Sequence, residues 1–96
     1  MLKEDFVIQS QIRRILVRSD IDYSKLSFGT VKGVVYIRGI FEMTRVYTDG
    51  SEGGIQEFIK KNLHSLEKKI KDIPGVIDVN FELANWIRER GKWTQR

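Results

Sequence analysis

The chain has no cysteine, a single histidine, a single proline and no apolar run long enough to cross a bilayer. Each absence removes a class of function. Without cysteine there is no disulfide framework, no thiol nucleophile and no cysteine-type zinc site, and nothing indicates a redox compartment. With His64 as the lone imidazole, a histidine-rich metal site is out, and only carboxylates remain to hold a hard cation weakly. The opening MLKEDFVIQS meets charges within its first five positions and has no apolar h-region, which argues against a secretory signal. The expected location is therefore cytoplasmic, with peripheral membrane association open and no transmembrane segment.

What is present fits one domain. Ninety-six residues bury only roughly two thirds of the unfolded surface, so one core must stabilise the whole. The composition is that of a globular protein, 41% hydrophobic and 31% charged. The net charge of +4 is unevenly placed: from Asn85 to Arg96, Arg88, Arg90, Lys92 and Arg96 stand against Glu89, which is 4 − 1 = +3. Such asymmetry favours an anionic partner: lipid headgroups, nucleic acid or an acidic protein.

From Asp5 to Asp20, Ile8, Ile12, Ile15 and Leu16 recur at helical spacing, with Gln11, Arg14 and Arg18 on another side. KLSFGTV places Leu26, Phe28 and Thr30 on one face of a strand. Lys32-Gly33 reads as a tight turn into a return strand, VVYIRGIF, with Val35, Ile37 and Phe41 on one side and Val34, Tyr36, Arg38 and Ile40 on the other. A second helix is expected from Ile55 to Ile73, its core stripe Ile55, Ile59, Leu63, Leu66, Ile70 and Ile73 lying opposite Lys61, His64, Lys68 and Lys71. Pro74 and Gly75 end it. VIDVNFEL then alternates Ile77, Val79, Phe81 and Leu83 against Asp78, Asn80 and Glu82. The order predicts an α+β fold, a two-layer α-β-β-α-β arrangement in which two helices pack on one face of a three-stranded mixed sheet.

GVVYIRG (33–39) and PGVIDVNFEL (74–83), set apart by a helix and preceded by a helix and a strand, give the chain a family likeness. It resembles the BON domain, named for bacterial osmotically induced and nodulation proteins. The resemblance covers roughly Ile8 to Leu83 and divides the chain into a BON-like domain over 1–84, with an expanded loop over 42–54, and a basic, tryptophan-containing tail over 85–96. It implies that Gly33 closes the hairpin turn, that Val35 and Ile37 point at the helices, that Gly39 ends the strand, and that Gly75, Val76 and Val79 open the last strand. It also implies a non-catalytic module for phospholipid or other membrane-surface components.

Three constellations remain. TRVYTDGSEGG (44–54) precedes a helix, as a phosphate loop does, but Asp49 and Glu52 inside it repel an anion, and its GSEG lies between strand and helix rather than between two helices as in KH domains. A flexible connection is the better reading. The stripe Lys61, His64, Lys68 and Lys71 suits an acidic surface or simply a solvated helix face. In NWIRERGKWTQR, Trp86 and Trp93 interleave with cations as in lipid-interface or base-stacking segments. The competing reading folds Trp86 and Ile87 back over the core and leaves Trp93 mobile.

The sequence therefore points to a non-catalytic module without cofactor or metal that meets an anionic membrane surface or a protein partner. Its candidate residues are Arg14, Arg18, Lys61, Lys68, Lys71, Trp86, Arg88, Arg90, Lys92 and Trp93. The alternative is a nucleic-acid-binding module using the same residues. An enzyme built on His64 with Asp49 or Glu52 is the least supported. Val34, Tyr36 and Ile40, on the sheet's second face, suggest a homodimer through that face, or the tail covering it, rather than a ligand site.

Overall fold

The computed structural model describes residues 3–46, 50 and 53–96. Helix α1 runs Lys3–Arg18, two residues earlier at each end than expected. Its inward stripe begins with a carboxylate, Asp5, and continues through Ile8, Ile12 and Leu16, all buried. Strand β1 (Ile21–Asp22) and a 3₁₀ turn (Tyr23–Lys25) lead into β2 (Leu26–Val31), and β3 (Val34–Gly39) returns antiparallel to it. The hairpin turn is Lys32-Gly33, with φ of 49° and 85°. Both central residues are left-handed, as the twist of a two-residue hairpin demands. A lysine pays a steric cost there. Asp5 offsets it: Oδ2 accepts from the Lys32 amide and Oδ1 from the Gly33 amide, each at 3.3 Å. One buried side chain thus ties the first turn of α1 to the tip of the hairpin.

Strand β4 (Glu42–Met43) pairs back on β1, Asp22 opposite Glu42, so the expanded connection starts with a short ladder rather than with open chain. Tyr47, Thr48, Asp49, Ser51 and Glu52 of that connection lie outside the described residues. The hydroxyl and amide of Ser24 both donate to Asp22 Oδ1, at 2.6 and 3.0 Å, and hold that carboxyl below its ordinary value of 3.8. Because the folded form binds its proton less readily, this contribution is present at neutral pH and fades as the pH falls through the lowered value.

Helix α2 spans Gly54–Lys71 and buries Leu63, Leu66, Glu67 and Ile70. It stops short of Ile73, which is still buried, and its first apolar residue, Ile55, faces outward. Strand β5 (Asp78–Leu83) lies parallel to β3, with Val35 beside Val79 and Ile37 beside Phe81, giving the sheet order β2-β3-β5. Val35, Ile37, Val79 and Leu83 meet the inward residues of both helices in one core, so the α+β class and the mixed sheet stand as expected. Ile77 does not join it and is 76% exposed. The parity is right, but β5 begins at Asp78, two residues later than the expected VIDVNFEL. Ile77 binds through its amide to the Gly33 carbonyl at 2.8 Å, beyond the last layer of inward side chains.

The chain does not end in a loose tail. Strands β6 (Trp86–Glu89) and β7 (Lys92–Gln95) form a second tight hairpin, closed by Arg90 and Gly91 at φ of 51° and 76°. It repeats the lysine-glycine turn of the first.

Candidate functional site

The outward side of α1 is the least ordinary surface. Opposite the Ile8, Ile12 and Leu16 stripe stand Phe6, Val7 and Val17, which are 63%, 45% and 55% exposed. Around them Arg13, Arg14 and Arg18 reach solvent. Of the two acidic residues of α1, Glu4 and Asp5, Asp5 faces the core, and none occurs from Phe6 to Ser19. Phe6, Val7, Ser10, Gln11, Arg14 and Ile15 line a shallow groove of about 350 Å³ along this side. The helix is therefore amphipathic twice: aliphatic toward the sheet, and aromatic, aliphatic and cationic toward the outside. Arg14 and Arg18 were expected there. Arg13 and the three exposed apolar side chains were not, although their phase, out of step with the isoleucine stripe, is visible in the sequence.

The expected cations of α2, with Arg88 of β6, divide into two groups. Lys61 and Lys68 are exposed, as is His64. Lys71 and Arg88 are not free. Glu67, buried on the helix's inner flank, holds Arg88 Nε at 2.9 Å and Lys71 Nζ at 3.4 Å. A carboxylate this enclosed needs positive partners, so these two cations serve the fold before any external anion. Lys68, Lys69 and Lys71 also occupy the last turn of α2, where they oppose the helix dipole. Lys69, outside the expected stripe, lies with its Nζ 3.4 Å from Ser19 Oγ just past the end of α1.

The pair with Glu67 gives a measurable expectation. Arg88→Ala leaves the carboxylate with Lys71 alone and is expected to cost about 2 kcal/mol in urea unfolding, below the roughly 3–5 kcal/mol of a fully enclosed pair because Arg88 is 38% exposed. Adding Glu67→Met to that variant should recover most of the loss. If the double variant is less stable than Arg88→Ala, the ion pair is not what positions β6 on α2.

Trp86 and Trp93, expected at an anionic interface, are enclosed instead, with 2% and 3% of their surface exposed. Alternation in the hairpin explains it. Trp86, Arg88, Trp93 and Gln95 share one side of the β6-β7 ladder, where Trp86 pairs with Gln95 and Arg88 with Trp93. That side rests on α2 and β5: Arg88 reaches Glu67, Gln95 Oε1 accepts from Gln56 Nε2 at 2.7 Å, and the Trp93 ring stands edge-on to Phe81 with centroids 5.0 Å apart. Neither indole is available to lipid or bases. Arg90 and Lys92 remain exposed at the turn.

On the sheet's second face Val34 and Tyr36 are half-buried and Ile40 is exposed, with Arg38 and Glu82 paired across it at 3.0 Å. His64 shows no carboxylate partner among the described residues, and Asp49 and Glu52 lie outside them. Among the described residues no three histidine, cysteine, aspartate or glutamate side chains gather as metal ligands, and no helix is long and apolar enough to cross a membrane. Compared with known proteins, the chain matches no family model, no curated protein and no solved structure.

Proposed function

We propose that this protein is a non-catalytic, BON-like binding module that docks on an anionic membrane surface through the outer side of α1, with Lys61 and Lys68 of α2 in support. The observation that carries this reading is the coincidence on one helix side of three arginines and three exposed apolar side chains, with no carboxylate in the stretch from Phe6 to Ser19. A purely solvated face has no use for Phe6, Val7 and Val17. A protein-only interface has little use for so uncompensated a charge. An interfacial helix uses both, its apolar groups entering the headgroup boundary while its cations meet phosphate. Both helices lie on the same face of the sheet, so their outward sides form one continuous layer and the cations of α2 can approach the same plane. The family reading rests on the turn and core residues of the two sequence motifs.

The test is co-sedimentation with vesicles. Wild-type protein is expected to pellet with phosphatidylserine-containing vesicles at low salt, to be released as salt rises, and to stay in solution with phosphatidylcholine alone. Replacing Arg13, Arg14 and Arg18 together by Gln removes about 3 kcal/mol, at roughly 1 kcal/mol per cation near such a surface, or about a hundredfold in partitioning. Phe6→Ser should weaken binding without changing its salt dependence. Equal pelleting with neutral and acidic vesicles would end the proposal.

A nucleic-acid module would draw on the same cations and predicts a salt-dependent mobility shift with oligonucleotides. With both indoles enclosed, it has lost the stacking groups that made it attractive.

A further inference from the structure

Strand β2 is an edge. Among the described residues no strand pairs with its outer side, since the sheet order is β2-β3-β5 and β2 bonds only to β3. Which of its backbone groups face outward follows from the hairpin. The Ile40 amide donates to the Lys25 carbonyl at 3.1 Å, so Lys25 and, at alternate positions, Ser27, Gly29 and Val31 bond toward β3. Leu26, Phe28 and Thr30 then point their amides and carbonyls away. The Leu26 amide is used by the Tyr23 carbonyl. Those of Phe28 and Thr30, and all three carbonyls, form a row without a strand partner among the described residues, with Thr30 itself 6% exposed.

Sheet edges are normally blunted by a charge, a proline, a bulge or a short strand. LSFGTV has none of these: it is six residues long, uncharged and in unbroken register with β3. Beside it lies a groove of about 400 Å³ lined by Ser27, Phe28, Gly29, Val31, Tyr36 and Arg38. Its floor at Gly29 is bare, and a side chain added there would meet nothing within 4 Å. The open row is symmetric about Phe28, so two copies can satisfy each other antiparallel. The Phe28 amides then bond the opposite Phe28 carbonyls, and each Thr30 amide bonds the other copy's Leu26 carbonyl, two donors from each copy.

Charge favours the same antiparallel arrangement. At the start of β2, Asp22 and Glu42 are cross-strand neighbours with only Lys25 between them, 1 − 2 = −1. At its end, Lys32 is exposed and has no ion-pair partner among the described residues. Centring the pair on Phe28 brings the Lys32 end of one strand toward the Tyr23–Lys25 turn of the other copy, where the Ser24 hydroxyl touches Asp22. We infer that the occupant of the β2 edge is β2 of a second copy of this chain, joining two three-stranded sheets into one of six strands. This is an edge contact, unlike a dimer through the open sheet face. A two-fold axis perpendicular to the sheet keeps both helix layers on one side. Both α1 outer surfaces therefore face the same way, although the dimer itself does not depend on the membrane reading.

Sedimentation equilibrium of the full chain tests this. The weight-average mass is expected to climb from 11.2 kDa toward twice that value as concentration rises. Thr30→Pro deletes an outward donor at a residue whose side chain is buried and, in the folded variant, should weaken the dimer about tenfold or more. Lys32→Glu, which changes an exposed side chain and keeps the amide that donates to Asp5, should weaken it several-fold and more strongly at low salt. Circular dichroism confirms that each variant is folded; if Thr30→Pro is not, Lys32→Glu carries the test alone. A mass fixed at the monomer value, or a dimer indifferent to the folded edge variants, overturns the inference.

Discussion

A chain ending at Ala84 should fail to fold cooperatively. Removing residues 85–96 takes away Trp86 and Trp93, two of the enclosed side chains of the core. Each large aromatic is worth roughly 3–5 kcal/mol when truncated, and the two together rival the whole stability of a domain this size, about 5–15 kcal/mol. Two further losses act in the same direction. Glu67 is left buried with Lys71 as its only described cation. The side chain of Asn85, whose Oδ1 accepts from the Phe41 amide at 3.0 Å and whose Nδ2 donates to the Phe41 carbonyl at 2.8 Å, no longer braces the chain beyond β3. The truncated protein is expected to lose its sharp thermal transition and to bind a hydrophobic dye. A cooperative melt within a few degrees of the full chain's would mean that the hairpin is an appendage and that 1–84 is a domain by itself.

That prediction reverses the expectation of a basic tail, and the reason shows where sequence reading works. The α-β-β-α-β core is legible because each element carries a complete period: Ile8, Ile12 and Leu16 for a helix, Val79, Phe81 and Leu83 for a strand. The β6-β7 hairpin carries one too, but it is short and its inward positions mix tryptophan with arginine and glutamine. Arg88 reads as a surface charge until its buried partner, Glu67, is known, and no spacing rule links positions 67 and 88. Arg90-Gly91 did give the signal, as the same cation-glycine pair that Lys32-Gly33 presents between two alternating segments. Glu67 is equally hard to read. On the helix it stands four residues before Lys71 and looks like an ordinary exposed pair. The α1 site is legible from phase alone, because Phe6, Val7 and Val17 fall off the aliphatic stripe, whereas the open β2 edge depends on strand order, which periodicity does not encode.

Gly39→Val is expected to destabilise the fold by about 4 kcal/mol, the sum of a backbone conformation that non-glycine residues resist and a collision that cannot relax. Gly39 ends β3 with φ of 119°, and any side chain there would run into the carbonyl oxygen of Lys25. That carbonyl is pinned because it accepts from the Ile40 amide. Gly39 is pinned on its other side, its own carbonyl accepting from the Ala84 amide at 2.8 Å. One residue thus sits where β2, β3 and β5 are bonded together, and neither neighbour can withdraw without opening the sheet. Gly29→Ala is the internal control, since it lies in the same sheet, has no left-handed φ and faces open space; it should leave stability unchanged or raise it by a few tenths of a kcal/mol. Guanidinium unfolding of the two variants separates the explanations. Equal stabilities would show that the left-handed turn at Gly39 is incidental. A large loss confined to Gly39 would make it the point that fixes β2 against β3, and with it the layer on which the outer side of α1 is presented.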